Sequence, residues 1–314
     1  MKASERTAAR EKESTPRRHT VSSKVVEYPA LWLAGAACSG CSVSLLNTIN
    51  PGIQNLLVDP VLPGKHVSLK FHATLMAGSG EPVVKMLMNT AAKKPNGYIL
   101  VVDGSIQTKD NGAYCTLGAL GGKELTMREA AAKLARGALA VIAVGTCSSF
   151  GGIPAGVPNP TGALSVQEFF KKEGIDKPVV NVPGCPPHPD WIVGTIAHLL
   201  LKGIPTAGDL DDKNRPLAFY GKLIHDNCPR RGYFDAGRFA RHTGDAGCLF
   251  EIGCKGPYSY ADCPTRQWNN GVNWCVGAGA QCIGCVEPDF HDRLAPMFQK
   301  IDEGGIERLK IKTR

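Results

Sequence analysis

Cysteine is the residue type that could support the most chemistry in this chain, which has 314 residues and twelve cysteines. Seven of the cysteines lie between Cys228 and Cys285. Thiols at this density form disulfides, bind zinc or hold iron–sulfur clusters, and each alternative predicts a different setting. Eleven cysteines and one histidine fall into three sets of four, with spacings that favour iron–sulfur clusters.

The length and composition argue against a framework of disulfides. Such frameworks stabilise small secreted domains, whereas this chain is 43% hydrophobic and long enough to bury a core. Residues 1–24 are polar and charged, and Arg17-Arg18 is not followed by the apolar run of an export signal. No segment has the roughly twenty apolar residues of a membrane span. We therefore expect a cytoplasmic chain that contacts a membrane only through a partner.

The positive charge of the chain is concentrated at one end. The formal net charge is +8, and residues 1–24 contribute half of it, with seven basic and three acidic side chains. We expect residues 1–26 to form a basic, polar, disordered tail. No basic stripe with interleaved aromatic residues is present, so the sequence does not predict a nucleic-acid partner.

Short apolar runs alternate with helical patterns between residues 27 and 208. The predicted strands are Ala30–Ala34, Val67–Phe71, Tyr98–Val102, Ala138–Val144 and Val179–Val182. The predicted helices are Glu81–Lys94, Thr126–Arg136, Ser165–Glu173 and Asp190–Lys202. This alternation predicts an α/β domain with a flavodoxin-like parallel sheet and helices on both faces.

Four cysteines follow the carboxyl ends of three predicted strands, where ligands bind in such sheets. Cys38 and Cys41 follow the first strand, Cys147 follows the fourth, and Cys185 follows the fifth. Glycine beside each ligand lets the backbone approach a bulky anionic cluster. Zinc ribbons take their ligands from two compact knuckles, so this arrangement favours a cluster over zinc or an unligated core site.

Regular periodicity fades after about Asp209, and glycine, proline, tryptophan and asparagine become frequent. We expect residues 209–314 to form a smaller, loop-rich iron–sulfur domain that metal binding helps to fold. Spacing divides its candidate ligands into two sets: His225, Cys228, Cys248 and Cys254, and Cys263, Cys275, Cys282 and Cys285. The seven other histidines have no cysteine at ligand spacing and are interpreted as surface or packing residues.

From Tyr28 to about Phe290 the chain resembles the small subunit of a nickel–iron hydrogenase. The matching segments are Leu31–Leu33, Cys38–Ser42, Phe71–Gly78, Asp103–Ile106, Gly145–Cys147, Pro183–Trp191, His225–Cys228, Gly253–Pro257, Asn273–Cys275 and Cys282–Cys285. An ordered series of motifs over most of the chain is far more specific than one CxxC.

The resemblance implies three 4Fe–4S clusters and assigns a ligand set to each. The proximal set is Cys38, Cys41, Cys147 and Cys185; the medial set is Cys263, Cys275, Cys282 and Cys285; the distal set is His225, Cys228, Cys248 and Cys254. It also implies a large subunit that holds the nickel–iron centre, an electron acceptor or donor protein, and an oligomer of heterodimers. This chain would then transfer electrons, with no catalytic residue of its own.

Particular positions qualify the resemblance. Asp103 stands where glutamate is more usual, and Cys115 lies outside all three sets and is interpreted as a small buried hydrophobe. Relatives with a 3Fe–4S medial cluster have proline at the place of Cys275. Oxygen-tolerant relatives have further cysteines at the places of Gly40 and Gly152, so the resemblance implies an ordinary four-thiolate proximal cluster here.

Three alternatives to a hydrogen-oxidising or proton-reducing enzyme remain. One is a zinc-stabilised structural protein, which about twelve iron atoms per chain would exclude. The other two are related classes. The small subunit of a regulatory hydrogen sensor has similar clusters but signals to a kinase, and turnover would distinguish it. The related quinone-reductase subunit of respiratory complexes shares the first fold but lacks the cluster domain after Asp209.

Overall fold

The computed structural model describes residues 25–58, 64–288, 290–292, 294 and 297–301. The basic tail predicted for residues 1–26 lies outside the described residues except for Val25 and Val26. Within the described part of the chain, no helix has both the length and the apolar character needed to cross a membrane.

Strands and helices alternate through the first two-thirds of the chain. The strands are β1 (Val26–Ala34), β2 (Lys65–His72), β3 (Ile99–Asp103), β4 (Ile106–Gln107), β5 (Thr116–Leu120), β6 (Lys123–Thr126), β7 (Ala140–Val144), β8 (Ala163–Leu164) and β9 (Val179–Val182). The helices are α1 (Gly40–Leu46), α2 (Ile53–Val58), α3 (Glu81–Lys93), α4 (Met127–Gly137), α5 (Thr146–Phe150), α6 (Val166–Glu173), α7 (Pro189–Lys202), α8 (Leu217–Tyr220), α9 (Arg231–Asp235) and α10 (Cys263–Arg266).

The main sheet has five parallel strands in the order β2-β1-β3-β7-β9. Because sequential strands add outward from β1 in this way, the order is that of flavodoxin-like folds, and the predicted fold is confirmed. The last residues of four strands stand in register, since Ala34 pairs with Asp103, Asp103 with Val144, and Val144 with Val182. This row of strand ends sets where the following loops begin.

Helices cover both faces of the sheet, as predicted. On one face, Leu31 and Leu100 pack with Leu87 of α3, Leu134 of α4 and Phe169 of α6. On the other, side chains of β1, β3 and β7 pack with α1, α2 and α7. Both faces of the strands are therefore buried, which explains why they appear in the sequence as continuous apolar runs.

Local signals place the ends of two predicted helices. Thr126 and Ser165 cap α4 and α6, and each forms a capping box with a glutamate three residues later. The short helices α1, α2 and α5 and the two-stranded pairs β4–β8 and β5–β6 were not predicted. They are too short for hydrophobic periodicity to reveal them.

The segment after Asp209 is loop-rich, with short helices and isolated bridges in its described residues. Its apolar side chains, including Ile224, Leu249 and Trp274, join the core that covers the α7 face of the sheet. Buried Arg215 binds Asp211 and Glu287 at 2.8 and 2.9 Å and ties the start of this segment to its far end. The domain boundary at residues 208 and 209 stays a prediction.

Candidate metal centres

All twelve cysteines lie within the described residues, and all twelve are free thiols. Among the described residues, no three Cys, His, Asp or Glu side chains converge as they would around a single metal ion.

The proximal set gathers at the carboxyl edge of the sheet, because its members follow the row of strand ends. Cys38 and Cys41 lie at the start of α1, Cys147 lies in α5, and Cys185 follows β9. Burial and the neighbouring Cys185 thiol raise the pKa of Cys147 to about 12. The pKa of Cys41 is raised mainly by burial, and next by Asp103. The Cys147 and Cys38 thiols make smaller contributions in the same direction. These four thiols are therefore electrostatic neighbours.

Two glycines let the backbone approach these thiols. Gly145 has a φ of +92°, and a Cβ there would lie 2.5 Å from the Cys41 sulfur. Gly152 has a φ of +54°, and its Cβ would lie 2.7 Å from the Cys147 sulfur. Both distances are shorter than van der Waals contact, so only glycine fits at either position.

The distal set lines a pocket formed by loops around the 3₁₀ turn Ile224–Asn227. His225, Cys228, Cys248 and Cys254 all line it. The His225 Nε2 atom is buried and has no hydrogen-bond partner among the described residues. Burial lowers the pKa of His225, which favours the neutral imidazole that binds metals. An unsatisfied ring nitrogen of this kind is what a metal ligand presents before it binds.

Backbone amides point at the distal thiols in a repeated pattern. The N–H groups of Arg230, Phe250 and Gly256 donate to the sulfurs of the cysteines two residues earlier, Cys228, Cys248 and Cys254. Burial still raises the pKa of each of these thiols. Amide donors to sulfur favour the thiolate and tune iron–sulfur sites.

The medial set lies between the other two. Burial raises the pKa of Cys263 well above its usual value, and Cys285 and Cys275 raise it further, while Trp268 donates to its sulfur and lowers it. Cys282 lies near Cys285 and Cys263 and accepts a hydrogen bond of 3.4 Å from the Gly284 amide. All four members are thus brought together.

Hydrogen bonds connect adjacent sets. The Cys185 amide donates to the sulfur of Cys285, which joins the proximal and medial sets. The Cys282 amide donates to the sulfur of Cys254, which joins the medial and distal sets. The three sets therefore form one continuous series.

The residues fit iron–sulfur clusters by the chemistry of their donors. Eleven thiols and one neutral imidazole provide three sets of four soft ligands, and backbone amides supply hydrogen bonds to sulfur. Cys115 is partly buried and packs against the core on the opposite face of the sheet, in agreement with its interpretation as a small hydrophobe, although it is not fully buried. The ligand assignment itself stays a prediction.

Three residues outside the ligand sets contact them, and none was predicted to do so. Thr146 donates to the Cys285 carbonyl and accepts from the Gly184 amide at 2.9 Å. Lys255 is buried beside Cys254 and Cys282, and Trp268 contacts Cys263. Thr146 and Lys255 each adjoin a ligand cysteine in the sequence, which is the signal that could have identified them.

Curated relatives match this chain over nearly its whole length. It is 46% identical over 289 residues to the periplasmic [NiFeSe] hydrogenase small subunit of Desulfomicrobium baculatum, covering 89% of this chain and 90% of that protein. It is 40% identical to the periplasmic [NiFe] hydrogenase small subunit 1 of Nitratidesulfovibrio vulgaris, covering 86% and 81%. The crystal structure of the reduced D. baculatum Ni–Fe–Se hydrogenase superposes with a TM-score of 0.82 at 47% identity, covering 87% of this chain and 99% of that chain.

These relatives contradict the expected cytoplasmic location. Both are named periplasmic, so the expectation drawn from residues 1–24, which show no apolar run of an export signal, was wrong. The physical reason is that targeting signals are addresses read by receptors and are separate from the fold, so the lack of an apolar run in residues 1–24 does not fix the location.

Two family models match consecutive parts of the chain. Residues 38–199 match the NADH ubiquinone oxidoreductase, 20 Kd subunit, and residues 220–298 match the C-terminal domain of the NiFe/NiFeSe hydrogenase small subunit. The first match covers the fold shared with quinone reductases, and the second covers the segment that distinguishes hydrogenases from them. With the relatives above, these matches mean that the chain belongs to the family of nickel–iron hydrogenase small subunits, the electron-transfer subunits of oxidoreductases acting on hydrogen.

Proposed function

We propose that this chain relays electrons between the nickel–iron centre of its large subunit and an external acceptor through three 4Fe–4S clusters. The proximal, medial and distal sets would hold them in that order. Clusters of this type accept and donate single electrons when bound. The observation that carries the proposal is the continuity of the series, in which Cys185 contacts Cys285 and Cys282 contacts Cys254.

The protein supplies an insulated path for the electrons. Cys282 and Cys248 are buried, and Trp274 and Leu249 fill the surrounding core. Burial of the thiols excludes water, and amide donors to sulfur compensate part of the anionic charge. These residues hold the ligands in place and limit the reorganisation that would accompany a change in charge.

The proximal end has the character of a protein–protein interface. Cys38 is exposed, and three apolar side chains on and after α1 are also exposed: Val43 (54%), Leu46 (42%) and Ile49 (56%). Membership of the family implies a large-subunit partner. We infer that the partner covers this surface in a large, obligate interface, so that electrons enter beside Cys38 and Cys41.

The experiment is metal analysis and turnover of the complex purified with its large subunit. We expect about twelve iron atoms in this chain, the total for three cubanes. Cys263→Ser should impair the medial cluster and slow hydrogen-dependent dye reduction, whereas hydrogen–deuterium exchange at the nickel site continues. The matched control is Cys115→Ser, which removes the one thiol outside the sets and should leave iron content and turnover unchanged.

Different outcomes would contradict different parts of the proposal. Stoichiometric zinc, or only about four iron atoms, would contradict the three-cluster assignment. Very slow hydrogen turnover, with activity tied to a kinase, would favour the regulatory sensor.

A further inference from the structure

Lys255 is a buried cation between the medial and distal sets. It is 1% exposed and directly follows Cys254 of the distal set. Its backbone N–H donates to the carbonyl of Cys282, a member of the medial set, at 2.7 Å. Its position is fixed further by Ser259, whose hydroxyl donates to the Lys255 carbonyl at 2.8 Å.

This lysine has no carboxylate partner among the described residues. Its Nζ atom donates to the backbone carbonyl of Gln299, which carries no net charge. Arg215 provides a contrast within the same segment, because it is also 1% exposed but is paired with Asp211 and Glu287. Burying an unpaired charge is strongly unfavourable, so a charged Lys255 needs an anion nearby.

The anionic groups beside Lys255 are the thiols of Cys254 and Cys282, both of which interact electrostatically with its ammonium group. If the proposed function is correct, these thiols are thiolate ligands of the distal and medial clusters. We propose that Lys255 is the shared counter-cation of these two clusters and that it raises both of their reduction potentials. The proximal cluster has no such cation among its described neighbours.

The direction follows from electrostatics. Reduction adds one negative charge to a cluster, and a fixed positive charge in a medium of low dielectric stabilises the reduced form more than the oxidised form. One cation that interacts electrostatically with a ligand of each cluster shifts both potentials in the same direction. The charge therefore keeps the medial and distal potentials close together and raises both of them relative to the proximal potential. This difference favours the flow of electrons outward.

The test is a redox titration of the whole complex followed by electron paramagnetic resonance. Lys255→Met retains the length of the side chain and removes its charge. At a fixed potential we expect the ratio of reduced to oxidised medial and distal clusters to fall by at least tenfold, or about 59 mV for a one-electron couple. Lys255→Arg keeps the charge and should retain values near those of the unmutated protein. The matched control is Lys222→Met, which removes an exposed lysine of the same segment and should change nothing.

Each result is decisive. Unchanged medial and distal potentials in Lys255→Met would overturn the proposal, as would an equal shift of the proximal potential. If Lys255→Met loses iron, Lys255→Gln is measured as well. Iron loss from both uncharged variants but not from Lys255→Arg would support the role of the charge, whereas loss from all three would indicate a packing role and overturn it. If the proposed function itself is wrong, the unmutated protein will lack medial or distal signals. That outcome differs from a failure of the Lys255 proposal, in which the signals are present but do not shift.

Discussion

The backbone N–H of Cys185 donates a hydrogen bond to the sulfur of Cys285, and so a ligand of the proximal set contacts a ligand of the medial set. Thr146 forms a hydrogen bond on each side of this contact. Its hydroxyl donates to the Cys285 carbonyl and accepts from the amide of Gly184, the residue before Cys185. Thr146 thus positions the junction between the sheet domain and the loop-rich segment, although it ligates nothing itself.

Thr146→Val should loosen this junction. Valine has a similar shape but cannot make either hydrogen bond, each worth about 0.5–1.5 kcal/mol. We expect weaker magnetic coupling between the proximal and medial clusters and slower electron transfer between them, measured by freeze-quench paramagnetic resonance. Thr146→Ser keeps the hydroxyl and should restore both. Equal effects of valine and serine would contradict a role for the hydrogen bonds.

His225→Cys should hinder the exit of electrons. A fourth thiolate makes the distal cluster more negative than neutral imidazole does, so its reduction potential should fall. The ratio of reduced to oxidised distal cluster then drops about tenfold for each 59 mV. Dye reduction should slow while hydrogen–deuterium exchange is spared, and His198→Cys, a histidine outside the sets, serves as the control. A parallel loss of both activities would show that His225 has another role.

Cys275→Pro should convert the medial site to a three-iron cluster. Cys275 is exposed, and it interacts with Cys263 and Cys285 as the fourth member of the set. Its removal leaves one iron without a protein ligand. The oxidised variant should give a strong 3Fe–4S resonance that the unmutated protein lacks. An intense signal of this kind in the unmutated protein would refute the four-thiolate assignment.

Gly152→Ala should damage the proximal site, because both the backbone conformation of Gly152 (φ +54°, ψ −156°) and the neighbouring Cys147 exclude a side chain. The new Cβ would lie 2.6 Å from the Cys147 Cα atom and 2.7 Å from its sulfur. Gly174→Ala is the comparison for an ordinary left-handed glycine, because Gly174 has φ +61° and ψ +42° and no atom within 4 Å of an added Cβ. The control should cost about 1–2 kcal/mol for left-handed alanine.

Gly152→Ala should lower the melting temperature further than Gly174→Ala and release iron from the proximal site. Thermal unfolding and iron content of the purified complex measure the two effects. Equal losses in the two variants would mean that neither the contact with Cys147 nor the backbone conformation of Gly152 matters for the proximal site.

The sequence alone determined the flavodoxin-like sheet and the grouping of the candidate ligands. Val141–Val144 and Val179–Val182 are buried on both faces, so they stand out as apolar runs, and the cysteines just beyond them had to meet at one sheet edge. The grouping of His225 with Cys228 followed from a short local spacing. Signals of this kind come from residues that are close together in the chain, so they can be recognised without knowing how the chain packs.

Only the tertiary structure decided how the three sets are joined. Cys185 meets Cys285 although the two lie far apart in the chain. Lys255 becomes a buried cation with no carboxylate partner in the described part of the chain, because the loop-rich segment packs on the α7 face of the sheet. That segment has little regular secondary structure, so no hydrophobic periodicity in its sequence predicts which of its residues are buried or which residues they contact. The identity of the ligands is a local property of the chain, whereas the contacts and charges that tune them arise from long-range packing.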